Sequence, residues 1–132
     1  KNYFQYYLFM TTQKQLNELT FEIIGAAIEV HKTMGKGLLE NIYHHCLLEE
    51  LKTRNINFIS EKNIPVFYKE KKLAIDFKCD LLVENNIVIE LKSVSEITPI
   101  HKAQLLTYMK LLNVPKGILI NFNCFNIFKK DK

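Results

Sequence analysis

Apolar and polar side chains alternate in the middle of the chain over residues 75–80, and two strand-like apolar runs follow at residues 81–83 and 87–89. Strict alternation is typical of half-buried β-strands, because successive side chains of a strand point to opposite faces of its sheet. Between the two runs lies the polar segment 84–86, with the sequence Glu-Asn-Asn, and asparagine tolerates the left-handed backbone conformation that tight hairpin loops use. The pattern therefore predicts a β-hairpin at the centre of the chain.

The hydrophobic pattern also predicts the register of this hairpin. If residues 84–86 form a three-residue loop, Asp80 pairs with Glu90, and directly paired side chains share a face. One face is then entirely apolar and contains Leu81, Val83, Ile87, Ile89 and Leu91. The opposite face carries three charged residues around two apolar ones, namely Asp80, Glu90 and Lys92 around Leu82 and Val88. A two-residue loop would place Glu90 opposite Leu81 and mix the two faces, so the three-residue loop is expected.

Three helices are predicted around the hairpin. Thr20 can cap the first helix, which runs to about residue 33. The second helix is expected over residues 38–54, with an inward-facing set made of Leu39, Ile42, Tyr43, Cys46, Leu47 and Leu51. Thr98 can cap the third helix, which ends near residue 112, because Pro99 then stands at the first helical position, where a missing N–H is tolerated.

Further strands are expected at residues 58–61, 64–68 and 117–122. The long run before the loop should keep its two faces upstream, with an apolar face of Leu73, Ile75, Phe77 and Cys79 and a charged face that includes Asp76 and Lys78. The order helix, helix, strands, helix, strand predicts an α/β fold with a mixed sheet flanked by helices.

Size and composition are those of an ordinary globular domain. A chain of 132 residues can bury a hydrophobic core, and 48% of its residues are hydrophobic and 24% charged. The net charge of +4 suits a polyanionic partner. Arg54 is the only arginine. Because lysine contacts phosphate as a point charge whereas base reading prefers arginine, the composition favours backbone contact over sequence readout.

The cysteines and the ends of the chain suggest its compartment and its boundaries. Three cysteines without a Cys-x-x-Cys pair are expected to be reduced thiols of a cytoplasmic protein. No apolar run approaches the about 20 residues of a membrane span. Met10 looks like a natural start, so residues 1–9 are interpreted as an N-terminal extension or a non-native remnant, and residues 10–132 as a single domain.

Two carboxylates and a lysine on one face of a hairpin have a chemical use. Asp80 and Glu90 offer hard oxygen ligands, which suit Mg²⁺ or Mn²⁺, and such an ion can generate a nucleophile from water near neutral pH. Lys92 faces the same way and can orient the attacking water or stabilise growing negative charge. The alternative is a surface ion pair, which contributes little energy. The chemical interpretation is preferred because the strand, the loop and the third helix agree with it.

Four residues outside the hairpin are candidates for the same site. Gln104 and Tyr108 lie one helical turn apart with His101 on the same face, so they could hold a water, a carboxylate or a phosphate. The alternative interpretation is a polar stripe on the helix with no role in a site. Because Asp80, Glu90 and Lys92 are expected nearby, the two interpretations are evenly supported. Glu40 lies in the first turn of the second helix, where the helix dipole already favours an acid, but it could also reach the metal as a third carboxylate.

Taken together, these residues resemble the PD-(D/E)XK nuclease superfamily. Asp80 and the triplet Glu90, Leu91 and Lys92 match its D…(D/E)-x-K core, with Cys79 at the position that the name gives to proline. Residues 104–108 look like the Q-x-x-x-Y element of the RecB-like branch.

A narrower resemblance is to the bacterial GxxExxY protein family. Gly37, Glu40 and Tyr43 match its signature, and the resemblance extends over about residues 18–123. It implies a restriction-endonuclease-like fold in which the site residues are Glu40, Asp80, Glu90 and Lys92, with Gln104, Tyr108 and His101 shaping the site.

The resemblance implies a Mg²⁺-dependent phosphodiesterase or nuclease that acts on DNA. Asp80, Glu90 and the Leu91 carbonyl would hold Mg²⁺ or Mn²⁺, with Glu40 as a further candidate ligand. A homodimer or a partner protein that delivers DNA is compatible with this function. The alternative is a non-catalytic nucleic-acid-binding or regulatory subunit that keeps the nuclease scaffold. A pure binder would gain nothing from two carboxylates that face phosphate, so the enzyme is the preferred expectation.

Overall fold

The computed structural model describes residues 13–127. Residues 1–9, interpreted above as an extension or a remnant, lie outside this range, as do residues 10–12 and 128–132. The elements of the described chain are α1 (Gln13–Met34), α2 (Glu40–Thr53), β1 (Phe58–Tyr68), β2 (Lys71–Val83), β3 (Ile87–Lys92), α3 (Pro99–Leu112) and β4 (Lys116–Asn121).

The four strands of this part of the chain form one mixed sheet in the order β1-β2-β3-β4. The first three strands pair antiparallel in chain order. β4 pairs parallel to β3, and α3 provides the crossover connection that a parallel pair requires. The predicted α/β fold with a mixed sheet flanked by helices is confirmed.

The central hairpin has the predicted register. Residues 84–86 form its loop, because the observed pairs are Val83–Ile87, Leu82–Val88 and Leu81–Ile89. Glu84 and Asn85 have φ angles of 49° and 58°, in the left-handed region. The Asn86 side-chain amide donates to the Glu84 carbonyl over 2.7 Å, which closes the loop.

The sheet buries a different set of side chains on each face. On one face, α1 and α2 cover the predicted apolar set of Leu81, Val83, Ile87, Ile89 and Leu91. On the other face, Tyr108 of α3 packs with strand residues that include Ile64, Leu82 and Val88. The charged face of the hairpin is therefore the face that α3 covers.

The first helix begins earlier than predicted. α1 already contains Gln13, and Thr20 lies in its interior, where the Thr20 hydroxyl donates to the Leu16 carbonyl over 2.8 Å. Interior threonines commonly satisfy their hydroxyl in this way. Leu16 is buried in the core, and this packing continues the helix upstream of the threonine. The predicted cap at Thr20 is therefore wrong.

The second helix has a narrower buried face than predicted. Tyr43, Leu47 and Leu51 are fully buried, but Leu39 is 77% exposed and Ile42 is 42% exposed. Leu39 is the N-cap residue and has an extended backbone, because the helix begins at Glu40 rather than at residue 38. Its side chain therefore leaves the apolar stripe, and the inward placement of Leu39 and Ile42 is wrong.

The two short strands predicted at residues 58–61 and 64–68 are one strand. β1 continues through Glu61, whose φ of 52° is unusual for a residue inside a ladder. Pairing with β2 is regular on both sides of it, since Ser60 lies opposite Leu81 and Lys62 lies opposite Cys79. Glu61 therefore distorts the strand without ending it.

The upstream apolar face of β2 does not continue as predicted. Phe77 and Cys79 pack on the α3 side of the sheet, whereas Leu81 packs on the side of α1 and α2. The change of side falls at Asp80, opposite the left-handed Glu61. The prediction for these residues is wrong because it assumed a regular strand throughout.

The third helix begins and ends where it was predicted. Thr98 is its N-cap and Pro99 its first residue. The His101 N–H donates to the Thr98 hydroxyl over 3.5 Å, and the Thr98 N–H donates to His101 Nδ1 over 3.1 Å, which completes a capping box. Asn113 ends the helix in the left-handed conformation, with a φ of 55°.

Candidate active site

At the end of the central hairpin, the side chains of Asp80 and Glu90 accept hydrogen bonds in place of backbone carbonyls. Beyond the Leu81–Ile89 pair, the Asp80 N–H donates to Glu90 Oε2 over 2.7 Å. The Leu91 N–H donates to Asp80 Oδ2, also over 2.7 Å. Each carboxylate thus accepts a backbone N–H from the neighbouring strand. This exchange, which we call the acid pair, holds the two carboxylates side by side where the pairing of β2 with β3 ends.

Burial makes Glu90 difficult to ionise. The residue is only 3% exposed. Burial first, and then the negative charge of Asp80, raise the pKa of Glu90 to about 7. Burial and the charges of Glu90 and Asp80 also raise the pKa of the neighbouring Cys79 to about 11. Negative charge is therefore concentrated where solvent screens it poorly, and a proton or a cation would relieve the repulsion.

Lys92 and Glu40 extend the charged group beyond the acid pair. Lys92 lies two residues after Glu90, on the same side of β3. Burial raises the pKa of Glu40, the charge of Lys92 lowers it, and the charge of Asp80 raises it. The structure thus brings Glu40 within electrostatic range of Lys92 and Asp80, although Glu40 stays exposed at the rim of the group rather than inside it.

Tyr43 holds the loop that leads into α2. Its hydroxyl donates to the Gly35 carbonyl over 2.6 Å and accepts from the Leu38 N–H over 3.1 Å. Its ring is fully buried and stacks on Phe122, with centroids 4.6 Å apart and planes inclined by 5°. One side chain therefore fixes both ends of the loop, and this fixes the point from which Glu40 projects.

Ser93 ties the same loop to the end of β3. The Ser93 hydroxyl donates to the Leu38 carbonyl over 2.6 Å. The Phe122 N–H donates to the carbonyl of Lys92, the residue before Ser93, over 2.9 Å. The loop is therefore held against the end of β3 from two sides by the set Leu38, Tyr43, Ser93 and Phe122, which we call the α2 clamp.

Tyr108 of α3 lies within electrostatic range of the acid pair, and Gln104 holds its hydroxyl. The Gln104 side-chain amide donates to the Tyr108 hydroxyl over 2.8 Å, so the predicted shared face is confirmed. Tyr108 is buried, and its pKa is raised first by burial and then by the charge of Glu90. A hydroxyl that accepts a hydrogen bond keeps its own proton to donate. Tyr108 is therefore a donor near the acid pair.

Two histidines lie at the rim near Glu40. His101 accepts the Thr98 N–H at Nδ1, so its neutral ring carries the proton on Nε2. Both histidines, His44 and His101, affect the pKa of Glu40. Their charges lower it, and their effect is smaller than those of burial, Lys92 and Asp80. His44 was not among the predicted site residues, although its position one helical turn after Glu40 could have indicated it. Its Nε2 lies 3.0 Å from the Ser60 hydroxyl.

The donor set of the acid pair fits a hard divalent cation. The hydrogen bonds use Oδ2 of Asp80 and Oε2 of Glu90, and each carboxylate has a second oxygen outside this exchange. The Leu91 N–H points toward β2, and the Leu91 carbonyl faces the same way because a strand residue directs both groups to one neighbour.

The number of protein ligands also suits Mg²⁺, which takes oxygen ligands and keeps several waters. Within residues 13–127, no group of three or more His, Cys, Asp and Glu side chains is arranged to hold a metal ion.

A mixed sheet between helices, with an Asp, a Glu and a Lys at the end of a central hairpin, is the arrangement expected for a nuclease of the PD-(D/E)XK type. The model of the PD-(D/E)XK nuclease superfamily matches residues 17–131. The chain belongs to this superfamily, and its architecture is consistent with the restriction-endonuclease-like fold. No curated protein and no solved structure matches the chain.

Membership supports a nuclease-type function with nucleic acid as the partner. Nucleases of this superfamily generally use divalent metal ions, in agreement with the donor set of the acid pair. None of the helices within residues 13–127 combines the length and the apolar character needed to cross a membrane.

Proposed function

We propose that this protein is a Mg²⁺-dependent phosphodiesterase that cleaves DNA. The observation that carries the proposal is the acid pair of Asp80 and Glu90. Burial and the negative charge of Asp80 disfavour the charged form of Glu90. A divalent cation removes this repulsion and uses the oxygens that the hydrogen bonds leave outside the exchange.

Each residue of the group has a role in this proposal. Asp80, Glu90 and the Leu91 carbonyl hold Mg²⁺ or Mn²⁺, and Glu40 at the rim is the candidate for a third acid. The bound ion would polarise a phosphoryl oxygen and lower the pKa of a water molecule. Lys92, on the Glu90 side of β3, orients the attacking water or stabilises the charge that grows on the phosphoryl oxygens.

The first half of α3 shapes the site in the same proposal. Tyr108, held by Gln104 and close to Glu90, donates to a water or a phosphate oxygen. His101, whose neutral ring carries its proton on Nε2, contributes a second donor at the rim near Glu40.

Two finer assignments within the superfamily belong to the proposal. The hydrogen bond between Gln104 and Tyr108 supports the RecB-like branch, because it joins the two named residues of the Q-x-x-x-Y element. The α2 clamp supports the bacterial GxxExxY family, because Tyr43 fixes the loop before Glu40 and Gly37 has a φ of 96°, which favours glycine. A cytoplasmic location agrees with three cysteines that are thiols. A second copy or a partner protein that presents DNA is compatible with this function.

Metal-dependent cleavage by the purified protein tests the proposal. Single- and double-stranded DNA and RNA are incubated with Mg²⁺, Mn²⁺ or EDTA, and the parent is expected to cut DNA only with a metal. Lys92→Ala should lower turnover by about 100-fold or more. In a calorimetric Mn²⁺ titration the same variant should bind at least as well as the parent, because a nearby positive charge is gone. Asp80→Asn and Glu90→Gln should abolish both metal binding and cleavage.

Amide variants are preferred to alanine at the two acids. Asn and Gln keep an oxygen that can accept the N–H of Leu91 or of Asp80, whereas alanine would orphan that N–H at a cost of about 1–3 kcal/mol. Glu49→Gln, on the exposed side of α2, is the matched control. If the three variants bind Mn²⁺ and cut like the parent, the enzyme proposal fails, and a non-catalytic nucleic-acid-binding or regulatory subunit replaces it.

A further inference from the structure

The β1–β2 hairpin extends far beyond the rest of the sheet. β1 has 11 residues and β2 has 13, whereas β3 and β4 have six each. β3 pairs only with residues 81–83 of β2, so the remainder of β2 has β1 as its strand partner. From Asp80 to Lys71 the strand covers nine residues, which is about 30 Å at roughly 3.3 Å per residue.

The end of this hairpin is fully exposed and combines aromatic rings with lysines. Residues 67–72, which we call the hairpin tip, have the sequence Phe-Tyr-Lys-Glu-Lys-Lys, and all six are exposed. Phe67 is 59% and Tyr68 is 63% exposed. Phe67 lies directly opposite Lys72, and Tyr68 lies opposite Lys71, so each face of the tip presents one ring beside one ammonium.

The needs of the fold do not explain this composition. Lys69 and Glu70 form the turn with φ angles of 52° and 76°, where Asn-Gly is the sequence that stabilises such a hairpin best. Neither hydrophobic cluster includes Phe67 or Tyr68. Lysines at a strand edge can keep a hairpin from pairing with other chains. The Lys69 ammonium also lies 5.5 Å from the Tyr68 ring centroid, within the range of a cation–π contact. Protection explains the lysines, but it leaves two large exposed rings without a role.

We propose that the hairpin tip binds an unpaired strand of the nucleic-acid substrate, about 30 Å from the acid pair. This inference rests on the proposed function, because it gives the same substrate a second contact. Exposed aromatic rings stack on unpaired bases regardless of sequence, and neighbouring lysines contact the phosphates between them. A stacked strand advances roughly 3.4 Å per nucleotide and an extended unpaired strand about twice that, so about 30 Å corresponds to about five to nine nucleotides between the acid pair and the tip.

The dependence of affinity on oligonucleotide length tests the inference. Single-stranded oligonucleotides of about three and about 20 nucleotides are compared by fluorescence anisotropy, since only the longer one spans the distance between the acid pair and the tip. Lys92→Ala is present in every protein so that the probes stay intact. Two double variants change the tip. The aromatic variant carries Phe67→Ala and Tyr68→Ala, and the tip lysine variant carries Lys71→Gln and Lys72→Gln. The control carries Lys14→Gln and Lys32→Gln on the exposed side of α1.

Both tip variants should weaken binding of the long oligonucleotide by about tenfold and leave the short one unaffected. In a salt titration, the tip lysine variant should reduce the slope of log affinity against log salt by about 1.4, which corresponds to two lost phosphate contacts. The aromatic variant should leave the slope unchanged, because stacking releases no counterions. The α1 variant should bind both probes like its parent.

Other outcomes overturn the inference or the function beneath it. Equal losses on both probes, or an equal loss in the α1 variant, would show a general charge effect and overturn a specific tip contact. Tip variants that bind like their parent would overturn it as well. If the aromatic variant converts a dimer into a monomer in size-exclusion chromatography, the tip is a contact between copies and the inference is wrong. If the protein with intact tip binds neither probe and the parent cuts no nucleic acid, the proposed function itself fails.

Discussion

The carboxylates of Asp80 and Glu90 end a β-ladder. Both accept backbone N–H groups and are therefore part of the hairpin, and the negative charge of Asp80 opposes the ionisation of Glu90. Hydrogen bonds from N–H groups favour the charged form of a carboxylate, but burial and the like charge outweigh them at Glu90 and raise its pKa. Hydrogen bonds therefore fix the positions of the two carboxylates, whereas the protonation of Glu90 changes with pH near neutrality.

The metal-free protein is expected to lose stability as the pH rises. The pKa of Glu90 is about 7 in the folded state against 4.5 for the free side chain, so the folded state binds more protons between these values. The contribution of Glu90 to the free energy of unfolding should therefore be largest below about pH 4.5. It should decrease between about pH 4.5 and about pH 7, by on the order of 3 kcal/mol in total. Urea unfolding in EDTA across this range measures the change.

Two variants isolate Glu90 as the cause. Glu90→Gln removes the titrating group and should flatten the fall in stability, whereas Glu49→Gln on the exposed side of α2 should keep it. A parent protein whose stability stays constant or rises over the same range would contradict the raised pKa of Glu90. Mn²⁺ should restore stability above about pH 7, because a ligand that binds only the folded state stabilises it.

At the scale of elements, the α2 clamp connects one helix to the end of one strand. Its members come from four separate parts of the chain: the loop before α2, α2 itself, the residue after β3 and the residue after β4. Tyr43 and Phe122 are buried and stack closely, so the clamp is also part of the core. The position of Glu40 relative to Lys92 therefore follows from core packing.

A double-mutant cycle is expected to show that Ser93 acts through Glu40. Ser93→Ala removes the hydroxyl that donates to the Leu38 carbonyl, so the loop before α2 loses one of its links. We expect cleavage to slow by about tenfold or more in the parent, because small displacements of a catalytic group are costly. In a Glu40→Gln background the same change should have little further effect, and the measurement is kcat and KM for all four proteins.

Two controls separate positioning from stability in this cycle. Ser93→Thr keeps a hydroxyl and should recover most of the rate. Thr53→Ala removes a hydroxyl that donates to the Glu49 carbonyl at the far end of α2, and it should leave kcat unchanged. Fully additive effects of Ser93→Ala and Glu40→Gln would show that the clamp does not work through Glu40.

At the scale of the whole molecule, the site lies where two helices begin and a central strand ends. Glu40 is in the first turn of α2, His101 is in the first turn of α3, and Lys92 ends β3. The N-terminal ends of helices carry partial positive charge, which attracts anions such as phosphate. In the proposed site, the N-terminal ends of α2 and α3 and the ammonium of Lys92 would therefore all favour a phosphate.

Local patterns in the sequence predicted the parts of this arrangement that depend on neighbouring residues. The hairpin register followed from the separation of faces across residues 81–83 and 87–89, and the start of α3 followed from Thr98 and Pro99. Strand periodicity places Glu90 and Lys92 on one side of β3, and the predicted register brought Asp80 beside Glu90.

Features that depend on tertiary packing could not be predicted in the same way. The cap expected at Thr20 failed because the burial of Leu16 extends α1. The face of β2 changes side at Asp80, opposite a left-handed Glu61, and alternation cannot show such a change. The contact of Ser93 with Leu38 joins residues 55 positions apart, and neither residue type indicates its partner.

The position of β3 has a consequence for self-association. β3 is paired on both of its edges, with β2 on one side and β4 on the other. Its first five residues, 87–91, are all buried. β4 follows the α3 crossover in the chain. A chain that lacks β4 would leave one edge of this apolar strand open. Open, apolar strand edges recruit strands from other chains and lead to aggregation.

A chain that ends at residue 113 is therefore expected to aggregate, although it keeps Asp80, Glu90, Lys92 and α3. Light scattering and thioflavin fluorescence of the truncated chain, compared with a chain that ends at residue 127, would measure this. A truncated chain that stays monomeric would contradict the expectation. β4 thus shields an edge of a largely apolar strand, and it is synthesised after the strand that it protects.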